Sequence, residues 1–391
     1  MSAFEFQTVP AITMRAGAAR QLGELLRERF RGERVSVVTD SFLHRSGLLG
    51  PALENLAAHG WQVDVIDDVV ADPPEHVVLA AAERARAHRA QVVVGLGGGS
   101  SMDVAKLLAV LAAGEQPLAE MYGVGKVTSK RLPLVQVPTT AGTGSEVTCV
   151  SIVTTGATTK SGVVSPALFA DLAVLDAELT YGLPPAVTAA TGIDAMVHAI
   201  EAYTSRHKKN PLSDNLARQA LGLLSAHLLR ACDDGHDIQA REAMLLGAML
   251  AGQAFANAPV AAVHALAYPL GGHFHVPHGL SNALVLPQVL RFNLPQAGGY
   301  YAELADVVVA AGGMNGPAPS ASREARAQAF IDYCGQLSAV TGIPSRLRDV
   351  GVGEGDLDRL AEDAMLQTRL LVNNPREVGL DDARAIYAAA W

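Results

Sequence analysis

Val92-Val93-Val94-Gly95-Leu96-Gly97-Gly98-Gly99-Ser100-Ser101-Met102-Asp103-Val104-Ala105-Lys106 runs from β-branched residues through clustered glycines into a helix-forming segment. That order predicts a strand, a tight turn and a helix. Glycines lack a Cβ, so the backbone there approaches a ligand closely and adopts positive φ without penalty. A helix begun straight after the turn offers free N–H groups and the positive end of its dipole to a phosphate. The three consecutive glycines Gly97, Gly98 and Gly99 therefore form a candidate phosphate-binding turn, or else simply a tight strand-to-helix turn, and Ser100-x-x-Asp103 reads as a capping box. The dinucleotide fingerprint G-x-G-x-x-G is not met, because its third glycine would fall on Ser100. No ribose-binding acid follows at the usual distance either. The candidate carboxylate lies upstream, at Asp40, just after the run Val35–Thr39, where an Asp equally serves as a helix N-cap.

Outward from this turn the first half alternates. The amphipathic stretch 18–31 precedes Val35–Thr39, 48–59 precedes 62–66, and 74–88 precedes the run into Gly95. Further short apolar runs occupy 132–138 and 171–176. Strands alternating with helical segments indicate βα units and a parallel sheet. Beyond Leu183-Pro184-Pro185 the chain turns Ala/Leu-rich with helical periodicity; only Val307–Ala310 is ambiguous. The expected organisation is an α/β domain over 1–183 and an all-α domain over 184–391, with a Pro/Gly/Ser loop at Met314–Ser322.

Composition narrows the function. Of 391 residues, 49% are hydrophobic and 18% charged, which excludes intrinsic disorder. The net charge of −9, without basic clusters, argues against nucleic acid or a membrane surface as partner. Cys149, Cys232 and Cys334 are odd in number and widely spaced, so a disulfide framework is not expected. The first residues, MSAFEFQTVPAITMRAG, hold no uninterrupted apolar run of signal-peptide type. The expectation is a cytoplasmic protein. From Ala243 to Leu290 there is no Asp, Glu, Lys or Arg, but Gln253, Asn257 and four histidines interrupt the stretch. It reads as buried helix lining a cavity rather than a membrane span.

Two further constellations carry chemistry. Pro138-Thr139-Thr140-Ala141-Gly142-Thr143-Gly144-Ser145-Glu146 again follows a strand and offers hydroxyls and backbone to a cofactor, or equally a capped helix start. Asp194 and His198 stand at i and i+4, on one helix face within reach of one ion. Downstream, His264 and His278 lie in the charge-free stretch. Three imidazoles with a carboxylate suit Fe²⁺ or Zn²⁺.

Taken together, GGGSSMDVAK, PTTAGTGSEVT, DLAVLDAELT, GIDAMVHAIEAYTS and HALAYPLGGHFHVPHG resemble the iron-containing (group III) alcohol dehydrogenase family over essentially the whole chain. The resemblance implies a dinucleotide-binding domain, a helical domain and an active site in the cleft between them. It implies that Asp194, His198, His264 and His278 bind the metal, Fe²⁺ or alternatively Zn²⁺. It also implies that Gly97, Gly98, Gly99, Ser100, Asp103, Thr139, Thr140 and Lys160 hold NAD, with Asp40 facing the ribose and disfavouring NADP. Many members place a histidine four residues after the third ligand as a proton relay; here that position is Tyr268. Tyr268, His275 and water remain the candidates for that task. A second departure is Ser151, where some members have Asn.

The implied chemistry is reversible hydride transfer between NAD(H) and an alcohol or its carbonyl partner, with the metal as Lewis acid. The charge-free segment, including Phe255, is expected on the substrate side. It offers no local counter-charge to an anion, which favours a small uncharged alcohol, although Arg369 lies elsewhere in the helical half. A metal-free reductase of maleylacetate-reductase type is the near alternative. A lyase of dehydroquinate-synthase type and a non-catalytic binder are the alternatives of other classes. A homodimer or larger homo-oligomer is expected.

Overall fold

The computed structural model describes residues 3–156, 159–317 and 320–391. Within the Met314–Ser322 loop, Ala318 and Pro319 lie outside the described residues. The chain divides into two compact units. One comprises Gln7–Thr140 and Gly144–Gly182; the other is built on Leu183–Trp391 and includes Ala141–Thr143.

The first unit is a doubly wound sheet. Its strands are β1 (Ile12–Met14), β2 (Arg34–Asp40), β3 (Gln62–Val69), β4 (Val92–Gly97), β5 (Gly123–Val124), β6 (Leu134–Pro138), β7 (Val150–Thr155), β8 (Thr159–Val164) and β9 (Leu172–Leu175). Its helices are α1 (Leu22–Arg29), α2 (Ser41–Arg45), α3 (Gly50–Ala58), α4 (Glu75–His88) and α5 (Gly99–Ala113). Six strands pair in the order β1-β9-β6-β4-β2-β3, all parallel. Helices cover both faces, so every residue of β4 is buried; this is why its sequence is a continuous apolar run rather than an alternating one. A small sheet, β5-β8-β7, stands apart. The sequence pattern marks the long buried strands but not β1, β5, β7 or β8.

Strand order reverses between β2 and β4: β3 lies outside β2, and β6 and β9 continue from the far side of β4. Ligands of open α/β sheets bind beyond the carboxyl ends at such a switch point. The elements that end there are β2, at Asp40, and β4, at Gly97.

The second unit is helical: α6 (Pro185–Thr204), α7 (Pro211–Asp233), α8 (Ile238–Asn257), α9 (Ala262–Phe274), α10 (His278–Ala310), α11 (Arg323–Val340), α12 (Leu357–Met365), α13 (Thr368–Leu371) and α14 (Leu380–Ala390). The ambiguous Val307–Ala310 is the last turn of α10, where Val308 is fully buried. No single helix among the described residues is long and apolar enough to cross a membrane. The charge-free stretch instead breaks between α8 and α9, which are bent by 106°.

Candidate active site

Helix α6 supplies the first two predicted ligands. Asp194 and His198 project one turn apart and are buried, 1% and 3% exposed. Gly192 and Gly279 let the neighbouring helices come this close. A Cβ on Gly192 would lie 2.5 Å from Leu228 and 2.6 Å from Met244, and one on Gly279 would lie 2.5 Å from the Ala190 carbonyl oxygen of α6. His264 enters from the first turn of α9, and His278 opens α10.

Asp194 Oδ1 is the hub. It lies 3.9 Å from His198 Nε2 and 3.8 Å from both His264 Nε2 and His278 Nε2. Candidate ligand atoms of Asp194, His198 and His264 all fall within 4.8 Å of one another. A tetrahedral site with bonds near 2.1 Å has ligand–ligand edges of roughly 3.4 Å, so this donor set fits a divalent cation with little rearrangement. The imidazole of His198 stacks on Phe255 with 4.4 Å between ring centroids, and lies 4.8 Å from the ring of His264.

Electrostatics suit the same role. Burial pushes His198 down to about 4, against the pull of Asp194, so the ring is neutral with a lone pair to give. Burial works against charge on Asp194 too. The imidazoles of His198, His278 and His264 and the Asn282 amide outweigh it and hold the carboxyl below the usual carboxylate range.

Two further buried residues, unmarked by any sequence motif, complete the site. Glu201, on α6, accepts from the backbone N–H groups of Ala261 (3.0 Å) and Val263 (2.7 Å) and meets His264 Nδ1 at 2.7 Å. Asn282 Nδ2 donates to Asp194 Oδ1 at 2.6 Å and lies 3.3 Å from His264 Nε2 and His278 Nε2. Spacing held the signal for both. Asp194, His198 and Glu201 are i, i+4 and i+7 on one helix stripe, and Asn282 is one turn after His278.

The relay candidates part company. Tyr268 is buried with Val260, Ala265 and Leu370, and Phe255 and Leu371 pack against this cluster. His275 is the exposed, left-handed C-cap of α9 (φ 55°), at the surface.

In the α/β unit, Gly98 takes the N-cap of α5 with no side-chain cap, so Ser100 lies inside the first turn and the expected capping box does not form. Asp103 turns elsewhere: its carboxylate accepts from Ser145 Oγ (2.6 Å) and the Ile152 N–H (2.8 Å). A Cβ on Gly97 would strike Ser101 at 2.7 Å, whereas one on Gly98 would meet only Thr140, at 3.9 Å. Gly97 thus serves packing, and Gly98 leaves room above the helix end, where Gly99 and Ser100 form the first turn. Thr139, buried, donates its N–H to the Gly97 carbonyl, placing Thr139-Thr140 beside the turn.

Asp40 caps α2, accepting from the N–H groups of Phe42 and Leu43 through Oδ1. Lys160, on β8, pairs with Asp72 at 2.6 Å. Fully buried Lys106 donates to Ser145 Oγ, Thr148 Oγ1 and the Val150 carbonyl, tying α5 to the segment after the second glycine loop. Ser151 donates to the Asp103 carbonyl at 3.0 Å.

Residues 10–177 match the family described as Iron-containing alcohol dehydrogenase, and residues 188–391 match the Fe-containing alcohol dehydrogenase family, C-terminal. The chain is 41% identical over 367 residues to Long-chain-alcohol dehydrogenase 1 of Geobacillus thermodenitrificans, covering 93% of this chain and 91% of that one. A crystal structure of 1,3-propanediol oxidoreductase superposes over 100% of both chains with TM-score 0.94 at 34% identity. A sulfoacetaldehyde reductase from Bifidobacterium kashiwanohense, in complex with NAD+, gives TM-score 0.87 at 30% identity over 100% of this chain and 99% of that one.

Proposed function

Because the chain belongs to the iron-containing alcohol dehydrogenase family and is an NAD-dependent oxidoreductase of alcohols, we propose that it acts on an uncharged primary or secondary alcohol and the matching aldehyde or ketone. The observation that carries this is the composition of the wall beside the ligand set. Phe255 stacks on His198, Tyr268 leans on His278, and Val260, Ala265, Leu370 and Leu371 complete an apolar cluster. Such a wall gains by covering hydrocarbon, and none of these side chains carries a charge to pair with a buried anion.

Asp194, His198, His264 and His278 are the residues that would hold the cation. Bound there, a divalent metal supplies Lewis acidity toward the substrate oxygen, while NAD carries the hydride. Asp194, His198 and His264 are buried, which strengthens the charge interactions among them. Gly98, Gly99, Ser100, Thr139 and Thr140, with Asp40, are the residues we assign to NAD, since they end at or adjoin the switch point of the sheet. Three free cysteines, Cys149 and Cys334 buried among them, support a cytoplasmic placement. We also propose a homo-oligomer, which sedimentation would check.

The test is a panel of neutral alcohols against carboxylated and sulfonated analogues of equal chain length, followed by reduced-nicotinamide absorbance. Neutral substrates should exceed their charged analogues in kcat/KM by at least about tenfold, the scale of one uncompensated charge contact. Net NADH must accumulate. Equal or better turnover of the anions would overturn the substrate assignment, and oxidation without net NADH would point to the lyase reading.

A further inference from the structure

We infer that Glu201 is a positioning residue: it fixes the tautomer of His264 so that Nε2 always presents a bare lone pair to the metal position. This rests on the ligand assignment above. Glu201 is 4% exposed, and three N–H donors converge on its two oxygens. Oε1 takes Val263, and Oε2 takes Ala261 and His264 Nδ1. A carboxylate only accepts hydrogen bonds, so the imidazole proton sits on Nδ1. A neutral imidazole then has no proton left for Nε2. The opposite edge of the ring is compatible with this, since the Asn282 amide nitrogen lies 3.3 Å from Nε2, as it does from His278 Nε2. The same nitrogen donates to Asp194 Oδ1, which fixes the orientation of the amide.

Ala261 and Val263 flank the start of α9, so one carboxylate also anchors the helix that carries His264. Ligand placement and ligand protonation depend on a single side chain of α6. Outer carboxylates of this kind commonly change metal affinity by about 10–100-fold when removed.

The test is Glu201→Gln, which keeps shape and removes charge. The new amide has one oxygen for three donors, and its NH₂ turned toward His264 forces the ring to accept at Nδ1 and carry its proton on Nε2. The Co(II) dissociation constant, measured by competition with a chelator on stripped protein, should rise about 10–100-fold. Glu201→Asp should recover part of that loss. Unchanged Co(II) affinity with lowered thermal stability would overturn the inference and leave Glu201 as a helix cap only. If the Gln variant does not fold, histidine-selective ¹⁵N NMR of the stripped wild-type protein decides. His264 should show a protonated Nδ1 and a bare Nε2; the reverse pattern overturns the inference. Failure of the ligand assignment itself would look different, since stripped wild-type protein would then bind Co(II) no better than a His264→Ala variant.

Discussion

The ring of Tyr268 lies 5.9 Å from that of His278, inclined to it by 51°. The phenol is buried in the apolar cluster of Val260, Ala265 and Leu370 and closes the wall beside the last ligand. A free phenol has a pKa near 10 and is a poor base at neutral pH. Tyr268→Phe should therefore keep kcat and its pH profile within about threefold, whereas a general acid–base role requires a loss of roughly 10²–10⁴-fold. Steady-state kinetics across pH distinguish the two.

His264→Ala should strip the site. The variant is expected to lose both bound metal and turnover while retaining its helical circular dichroism, because the ring occupies one turn of α9 and the fold has other anchors. Metal analysis of the purified variant checks this; full metal content would refute the ligand assignment.

Gly279→Ala adds one methyl group directly beside His278. Its Cβ would sit 2.5 Å from the Ala190 carbonyl oxygen, a backbone atom that cannot rotate away. Helices α6 and α10 must separate, at a cost of about 1–3 kcal/mol. A lowered melting temperature together with weakened Co(II) binding is the expected pair of outcomes.

Asp40 allows charge and capping to be separated. Asp40→Asn keeps an acceptor for the N–H groups of Phe42 and Leu43 and removes only the charge. The preference for NAD over NADP in kcat/KM should shrink with little loss of stability. Asp40→Gly should shrink it as well, at a small further cost in stability. A wild-type enzyme that favours NADP would contradict the assignment.

Glu146 makes stability depend on pH. Burial raises its carboxyl from 4.5 to about 7, with Lys106 pulling the other way. The folded value exceeds the unfolded one, so its stabilising contribution is complete below about pH 4.5 and fades as pH rises through about 7. The difference amounts to about 3 kcal/mol at alkaline pH. Glu146→Gln should therefore melt higher than wild type at pH 8, with the advantage shrinking or vanishing at pH 4; equal shifts at both pH values would contradict this.

Much of this was legible in the sequence, and the exceptions have physical causes. Long buried strands such as β4 announce themselves because both faces demand apolar residues. Ile12–Met14 is a strand only because β9 pairs with it, and its own three residues carry no pattern. In β7 and β8, polar residues such as Thr154, Thr155, Lys160 and Ser161 sit on a small sheet with little core to cover. Pro287 and Pro295 would ordinarily end a helix, yet α10 runs through both, held by packing along its length. At the site, the four candidate ligands follow from spacing and family resemblance. Glu201 and Asn282 do not, because a second layer of contacts depends on which helices meet.

Strand pairing also sets a schedule for synthesis. Ile12 of β1 pairs with Ala173 of β9, whereas β2 and β3, hydrogen-bonded neighbours, are joined by α2 and α3 alone. A ribosome adding ~5–20 residues per second needs roughly 10–30 s to deliver the partner of β1 after β1 has emerged. For that interval β1 lacks its partner, and from the emergence of β6 onward the edge of β6 that β9 will cover stands open to other chains. A stalled or truncated product ending before Leu172 would keep it open for good, and such products should be the aggregation-prone ones.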